Sequence, residues 1–213
     1  VMLQRPMITV SCHDDTSAVD LLGRWLVKGG ETVWEDGPVT RAVRTGALLY
    51  LDEIAEARPD AIVVSHPLTD HRRQLFVDRH DEVITAAPGF MLVVSYNPGY
   101  QRGLKELKPS TRQRFVQLAM RYPETAIEAE IVHGETGVAM DVATKLAQLA
   151  RKVRALDSLG LVESPSTRLL IHAARLIKAG MPPRQACQAA IVEPLSDDTE
   201  VVAALRDVAA LVF

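Results

Sequence analysis

The sequence predicts an α/β fold: a parallel-sheet core followed by an all-helical unit. Short β-rich runs alternate with helical or loop segments through about residue 122, the pattern of a parallel α/β sheet. One of these runs, Ala47-Leu48-Leu49-Tyr50-Leu51, is continuously apolar, as expected of a strand buried on both faces. After Tyr122-Pro123 the strand signal ends and apolar residues recur only at helical spacing. The expected units are therefore residues 1–122 and 123–213.

The elements follow in order. Met7 to Cys12 is the first strand, and His13 to Ser17 is a turn or helix start. Gly29 to Gly37, flanked by glycines and centred on β-formers, is a short hairpin or an exposed loop. Pro38 sits where the first turn of a helix tolerates it, ahead of Val39, Ala42 and Val43. The strand at 47–51 stops at Asp52-Glu53. Asp70 to Pro88 is a polar, hairpin-like stretch; Met91 to Ser95 is a further buried strand, and Phe115 to Met120 a last strand-like run. Beyond residue 123, Val142, Leu146, Leu149, Val153 and Leu156 form one helical stripe, begun near Asp141 and stopped by Gly160. A second helix covers Thr167 to Ala179 with Gly180 as its stop. Pro182-Pro183 opens a third, and Ser196-Asp197-Asp198 caps a fourth.

Composition narrows the function. The 213 residues carry 24 Lys+Arg against 27 Asp+Glu, a net charge of -3, which argues against a surface built to neutralise phosphate backbones. Two distant cysteines, Cys12 and Cys187, make no disulfide framework and point to a reducing, cytoplasmic setting. Apolar runs fall short of the roughly 18–20 residues that span a bilayer. The chain opens at Val1 almost directly into a strand, as if a segment upstream were missing.

Asp52-Glu53 is the strongest single motif. An acidic pair at the C-terminal end of a parallel strand sits where α/β folds bind ligands. There Asp52 can hold a hydrated Mg²⁺ ion and Glu53 can polarise a water that attacks a phosphoryl group; two solvated surface acids are the alternative. Asn97 would lie beside them if its strand is a neighbour, to orient a water or touch a terminal phosphate, although Asn-Pro-Gly is also ordinary turn chemistry. Arg112 and Arg114 can fork onto phosphate oxygens from a neighbouring subunit, or serve only the C-terminal dipole of a helix. Arg168 begins a helix, unfavourably for the dipole, and needs a carboxylate or an anion. The acids and histidines of 66–80 fit no compact metal motif. Trp34 is a packed aromatic or a loop tip that grips a partner.

Together these motifs resemble an AAA+ ATPase of the MoxR type, in the branch of the CbbQ/NirQ/NorQ proteins. Leu48-Leu49-Tyr50-Leu51-Asp52-Glu53 is similar to Walker B and Tyr96-Asn97-Pro98-Gly99 to sensor 1. Ser110-Thr111-Arg112-Gln113-Arg114-Phe115 is similar to the arginine-finger segment and Ser166-Thr167-Arg168 to sensor 2. The resemblance implies a P-loop NTPase-type core with a helical lid, assembled as a ring, commonly a hexamer, with ATP between subunits. It implies that Asp52 assists Mg²⁺, Glu53 is the catalytic base and Asn97 senses the terminal phosphate. Arg114, ahead of Arg112, would act in trans, and Arg168 would contact the nucleotide from the lid. It also implies activation of a client such as nitric oxide reductase or Rubisco with a von Willebrand A-domain adaptor, no nucleic acid and no membrane span. The Asp70–Pro88 hairpin and the Trp34 loop are the expected client-facing elements.

One departure stands out: the given sequence has no Gly-rich phosphate loop with its Lys and Ser/Thr (Walker A). Gly29-Gly30 lacks those residues and lies after the first strand. The expectation is a truncated ATPase chain, or alternatively a non-catalytic ring-assembly or binding module without ATP turnover.

Overall fold

The computed structural model describes residues 5–97, 106–156 and 164–213. They divide into two compact units, Val1–Leu118 and Ala119–Phe213. Pro98, Gly99 and Gly160, read above as part of a motif and as a helix stop, lie outside the described residues.

The first unit is built on a three-stranded parallel sheet of β1 (Met7–Ser11), β4 (Leu48–Asp52) and β7 (Met91–Val94), with β4 in the middle. Register pairs Thr9 with Tyr50 and Tyr50 with Val93, so the C-terminal ends of all three strands fall together. Leu49 and Leu51 point into the core with α1 (Ala18–Leu22) and α2 (Pro38–Thr45). Burial on both faces, expected from the continuous apolar run, is not what forms. Tyr50 and Asp52 on the opposite face are half-buried, and Met91 and Val93 on β7 are exposed. An apolar run gives a strand's hydrophobicity but not which of its faces is covered.

Between α1 and α2 the chain makes a hairpin of β2 (Gly23–Lys28) and β3 (Glu31–Asp36). Gly29 and Gly30 both take positive φ (62° and 89°), which a two-residue hairpin turn needs and side chains resist. At the stem, a Cβ on Gly37 would lie 2.4 Å from the Leu21 carbonyl oxygen, so only glycine fits there. After β4 a short helix, α3 (Pro59–Val64), precedes a second hairpin of β5 (Gln74–Val77) and β6 (Glu82–Thr85). Leu75, Val77 and Ile84 turn into the core, so only one face of this polar-looking stretch meets solvent.

Trp34 takes the packed reading. It is half-buried on β3, stacks on His80 with centroids 4.8 Å apart and planes 6° from parallel, and donates from Nε1 to Asp36 at 2.8 Å. Its cross-strand neighbour Trp25 is the exposed ring. Its Nε1 donates to the Arg79 carbonyl at 3.0 Å. Arg44 bonds both Asp36 and Glu82, which ties the two hairpins a second time.

The strand expected at Phe115 to Met120 does not form. The short helix α4 (Pro109–Arg112) ends just before it, and residues 116–124 carry no regular structure. Val116, Leu118 and Met120 are 95%, 85% and 95% exposed. Their period-two alternation suits a strand, but a strand also needs a ladder partner, and none pairs with them among the described residues.

The second unit is helical: α5 (Thr125–Thr136), α6 (Met140–Arg154), α7 (Thr167–Lys178), α8 (Pro183–Cys187) with a π-helical turn at Gln188–Val192, and α9 (Thr199–Ala210). Leu146, Leu149 and Val153 are buried as the stripe required, and Ala143, Ala147, Ala150, Ala173 and Ala174 between them let the helices approach closely. Asp198 caps α9, accepting from the Glu200 and Val201 N–H groups at 2.8 and 3.3 Å.

One ion pair organises this unit. The Glu128 carboxylate, 1% exposed, takes both Nη atoms of Arg154 at 2.7 and 2.8 Å and the Thr167 hydroxyl at 2.7 Å. Arg154 also donates to the Pro165 carbonyl and lies 3.6 Å over the Tyr122 ring. It thereby joins α5, α6 and the start of α7. Removing one partner of such a pair strands the other as a buried charge, at a cost of about 3–5 kcal/mol. Arg154→Ala is accordingly expected to shift urea unfolding of the helical unit, followed by circular dichroism at 222 nm, to clearly lower denaturant; an unmoved midpoint would contradict the role given to the pair.

Candidate functional site

The C-terminal ends of β4 and β7 bring three of the sequence-predicted residues together. Asp52 is the last residue of β4, and its carbonyl accepts from the Cys12 N–H at 2.8 Å, extending the ladder to the neighbouring strand. Glu53 follows with φ 53° and ψ 47°, a left-handed conformation that costs a non-glycine residue about 1–2 kcal/mol. It turns the chain out of the strand into a 3-10 turn at Ile54–Glu56. Asn97, three residues past β7, donates from Nδ2 to Glu53 Oε1 at 3.1 Å. The two strands are thus neighbours, as the placement of Asn97 beside the acids required.

Ser95 holds this corner in shape. Its hydroxyl donates to Asp52 Oδ1 at 2.5 Å and accepts from the Glu53 N–H at 3.1 Å. Its carbonyl takes the Ile54 N–H, and its own N–H donates to the Leu51 carbonyl, both at 3.0 Å. The Tyr50 hydroxyl donates to the same Asp52 oxygen at 2.7 Å. Neither Ser95 nor Tyr50 stood out as a site residue in the sequence. A signal was present: a tyrosine within an apolar strand needs a partner for its hydroxyl. The Ser95 hydroxyl first, then that of Tyr50, holds the Asp52 carboxyl below the ordinary carboxylate range.

The corner therefore offers an ionised carboxylate and, beside it, a second one fixed by an amide. Both hydroxyl donors fall on Asp52 Oδ1, and Oδ2 takes neither. A hard oxygen ligand of this kind suits Mg²⁺, which prefers one or two carboxylates and keeps several waters. Cys12, at the end of the adjacent strand, is buried, and burial followed by the Asp52 charge pushes its thiol up to about 11, so it takes no part as a thiolate.

The arginines lie elsewhere. Arg112 is exposed in the last turn of α4 and forms no ion pair among the described residues. Arg114 donates from Nη1 to the His66 carbonyl at 3.2 Å and lies 4.0 Å from Asp70. Arg168, in the first turn of α7 in the helical unit, is exposed and has no carboxylate partner among the described residues.

A parallel sheet with paired acids at its C-terminal edge, followed by a helical unit, agrees with what the chain resembles. Residues 1–115 match the AAA domain (dynein-related subfamily), and residues 128–212 match the CbbQ/NirQ/NorQ C-terminal domain. The chain belongs to the CbbQ/NirQ/NorQ family of MoxR-type AAA+ proteins. It is 59% identical to the protein NorQ of Paracoccus denitrificans, over 99% of this chain and 78% of that protein. Identity is 56% to the denitrification regulatory protein NirQ of Stutzerimonas stutzeri, covering 97% and 75%, and 49% to the protein CbbQ of Hydrogenophilus thermoluteolus, covering 99% and 79%. Among solved structures, a mutant RuvB of Thermotoga maritima matches with a TM-score of 0.53 at 14% identity, over 97% of this chain and 55% of that one, which speaks for the fold alone. No helix among the described residues is long and apolar enough to cross a membrane.

The hydroxyl cluster makes a checkable claim about this family member. Because the folded-state pKa of Asp52 is depressed, the stability it contributes is present above its unfolded value and lost as pH falls through the folded one. Ser95→Ala removes the largest cause, so the Asp52 carboxyl carbon, followed by NMR, should titrate at higher pH than in the parent, nearer the ordinary value of about 3.9. An unchanged titration would remove Ser95 from the account.

Proposed function

We propose that this protein is an ATP-hydrolysing remodeller that works as a ring, and that the corner formed by Asp52, Glu53 and Asn97 is its hydrolytic site. The observation that carries the reading is the Glu53–Asn97 hydrogen bond beside an ionised Asp52 at the end of the central strands. Family membership supports nucleotide as the ligand.

In this reading Glu53 acts as general base. The Asn97 amide holds Oε1, which leaves Oε2 to accept a proton from the attacking water. Asn97 keeps a second amide hydrogen for the terminal phosphate or that water. Asp52 would hold Mg²⁺ through water, and the ion supplies neutralisation of phosphate charge. Arg114, with Arg112 near it, reaches a neighbouring subunit's nucleotide, and Arg168 contacts nucleotide from a helical lid formed by residues 123–213. A Gly-rich phosphate loop is required as well, and the 213 residues contain none.

Membership of the family favours a client enzyme, as the resemblance implies: nitric oxide reductase for a NorQ- or NirQ-like member, Rubisco for a CbbQ-like one, and NirQ is by name a denitrification regulatory protein. A hexameric ring in the cytoplasm with a von Willebrand A-domain adaptor completes the proposal. The two hairpins joined through Trp34 and His80 are its client-facing elements, because they lie outside the parallel sheet and carry the exposed Trp25, Val27 and Val83.

The test is ATP turnover by the chain extended upstream through a phosphate loop. Glu53→Gln should lower kcat by about 10²–10⁴-fold, the usual worth of a general base, while the ring still assembles. Full activity in that variant would sink the assignment, and an inactive extended parent would favour a non-catalytic scaffold. Arg114→Ala should lower turnover by about 10³–10⁵-fold, the range of arginine fingers. Loss of assembly with unchanged turnover per ring would contradict that role.

A further inference from the structure

Arg114 is held by the segment from His66 to Asp70, and the same segment grips the base of the helix that precedes it. The His66 ring places Nε2 3.0 Å from Thr111 Oγ1. Thr111 is buried within α4, a helix of four residues. A helix this short has little cooperative stability of its own, so ties of this kind decide how the residues after it are aimed. The Arg114 N–H bonds the Thr111 carbonyl at 3.1 Å, and its guanidinium reaches back to the His66 carbonyl at 3.2 Å. His66 therefore holds the segment twice, by its ring at the base and by its carbonyl at the tip.

The two holds differ in firmness. The His66 carbonyl also accepts from the Thr69 hydroxyl at 2.9 Å and the Thr69 N–H at 3.2 Å, so Arg114 has a share of a crowded acceptor. Asp70, 4.0 Å from Arg114, is bound mainly by Arg72 at 2.6 Å, whose hydrogen bonds bring its carboxyl down to about 2. By contrast, the tie between His66 and Thr111 is enclosed. Burial, and after it the Arg114 charge, lowers the pKa of His66, so its ring is neutral at physiological pH and the tie is an ordinary hydrogen bond.

We propose that His66 is a positioning residue for Arg114: its ring fixes the base of α4 through Thr111, and its crowded carbonyl lets the guanidinium leave for a phosphate oxygen on the neighbouring subunit. This rests on the reading of Arg114 as the residue that acts in trans. His66 touches no nucleotide and acts only through the segment it holds.

The experiment measures ATP turnover and ring size of the intact assembled protein for His66→Ala, His66→Gln and Thr111→Val. Each is made in the parent and in an Arg114→Ala background. His66→Ala and Thr111→Val are expected to lower kcat by up to about 10²-fold, as a misplaced group does, with KM for ATP and ring size unchanged. His66→Gln, whose amide can place a donor or acceptor near the position of Nε2, recovers most of the loss. In the Arg114→Ala background neither substitution lowers turnover further, because the tie has nothing left to aim. Equal fractional losses in both backgrounds would show a merely structural role and overturn the proposal, as would failure of His66→Gln to recover turnover. Parental turnover in His66→Ala and Thr111→Val, with Arg114→Ala still impaired, would overturn it while leaving the arginine's role intact. If Arg114→Ala itself turns over like the parent, the trans-acting reading fails and the proposal falls with it.

Discussion

The hydroxyl of Ser95 is the constraint on which the arrangement of the acids depends. It donates to the Asp52 carboxylate and accepts from the Glu53 N–H, so one side chain from the end of one strand sets both residues at the end of the next. A sheet ladder alone would align the strands, but it would not choose the direction in which the chain leaves them. Here the exit is fixed by the left-handed residue Glu53, whose unfavourable backbone is compensated by bonds from its own N–H and that of Ile54 to Ser95. The conformation that costs energy is thus located at the residue with the most specialised proposed task. Its neighbours, Leu49 and Leu51, are ordinary core residues that hold the strand in register.

The two hairpins extend the same logic to the surface. Neither would be stable alone, since isolated two-stranded ribbons are marginal in water. The first is anchored at its stem by Gly37 against the Leu21 backbone, the second by Leu75, Val77 and Ile84 in the core. They are joined by the stacked pair Trp34–His80 and by Arg44 between Asp36 and Glu82. Exposed ion pairs contribute little singly. A bidentate arginine shared by two carboxylates nevertheless sets geometry, and the aromatic cluster supplies the burial. The pair of hairpins is for that reason one rigid feature with an exposed indole, Trp25, on its outside.

What could be read from the sequence divides along physical lines. Strands at residues 7, 48 and 91 and the helices that begin at 38, 140, 167, 183 and 199 announced themselves through apolar periodicity and end signals, because both are local properties. Helix α5 did not: its buried residues are Glu128, Ala129, Val132 and Thr136, half of them polar, and a stripe held by an ion pair has no hydrophobic period to find. The strand expected at 115–120 failed for the opposite reason. Val116, Leu118 and Met120 alternate perfectly well, but pairing is a property of two segments and one segment cannot report it. At the site, Asp52, Glu53 and Asn97 were legible because their chemistry is conspicuous at strand ends. Ser95 and Tyr50 act as hydroxyl donors to the Asp52 carboxylate, and although a tyrosine within an apolar strand asks for a partner, nothing local in the sequence says which group it is.

The charge balance of the corner carries the argument one step further. Asp52 is ionised and bonded chiefly by the hydroxyls of Ser95 and Tyr50, and Glu53 is bonded by an amide; among the described residues no lysine or arginine pairs with either. Two carboxyl groups side by side with neutral partners are an unusual arrangement, and in the proposed reading a cation completes the set. The arginines of the first unit lie elsewhere: Arg114 rests on His66 and near Asp70, and Arg112 is solvent-exposed. A site of this kind is incomplete by itself. In the proposed reading, a divalent ion with its phosphate and an arginine brought by another subunit would supply the missing positive charge only when ring and nucleotide are both in place, and hydrolysis would be conditional on assembly.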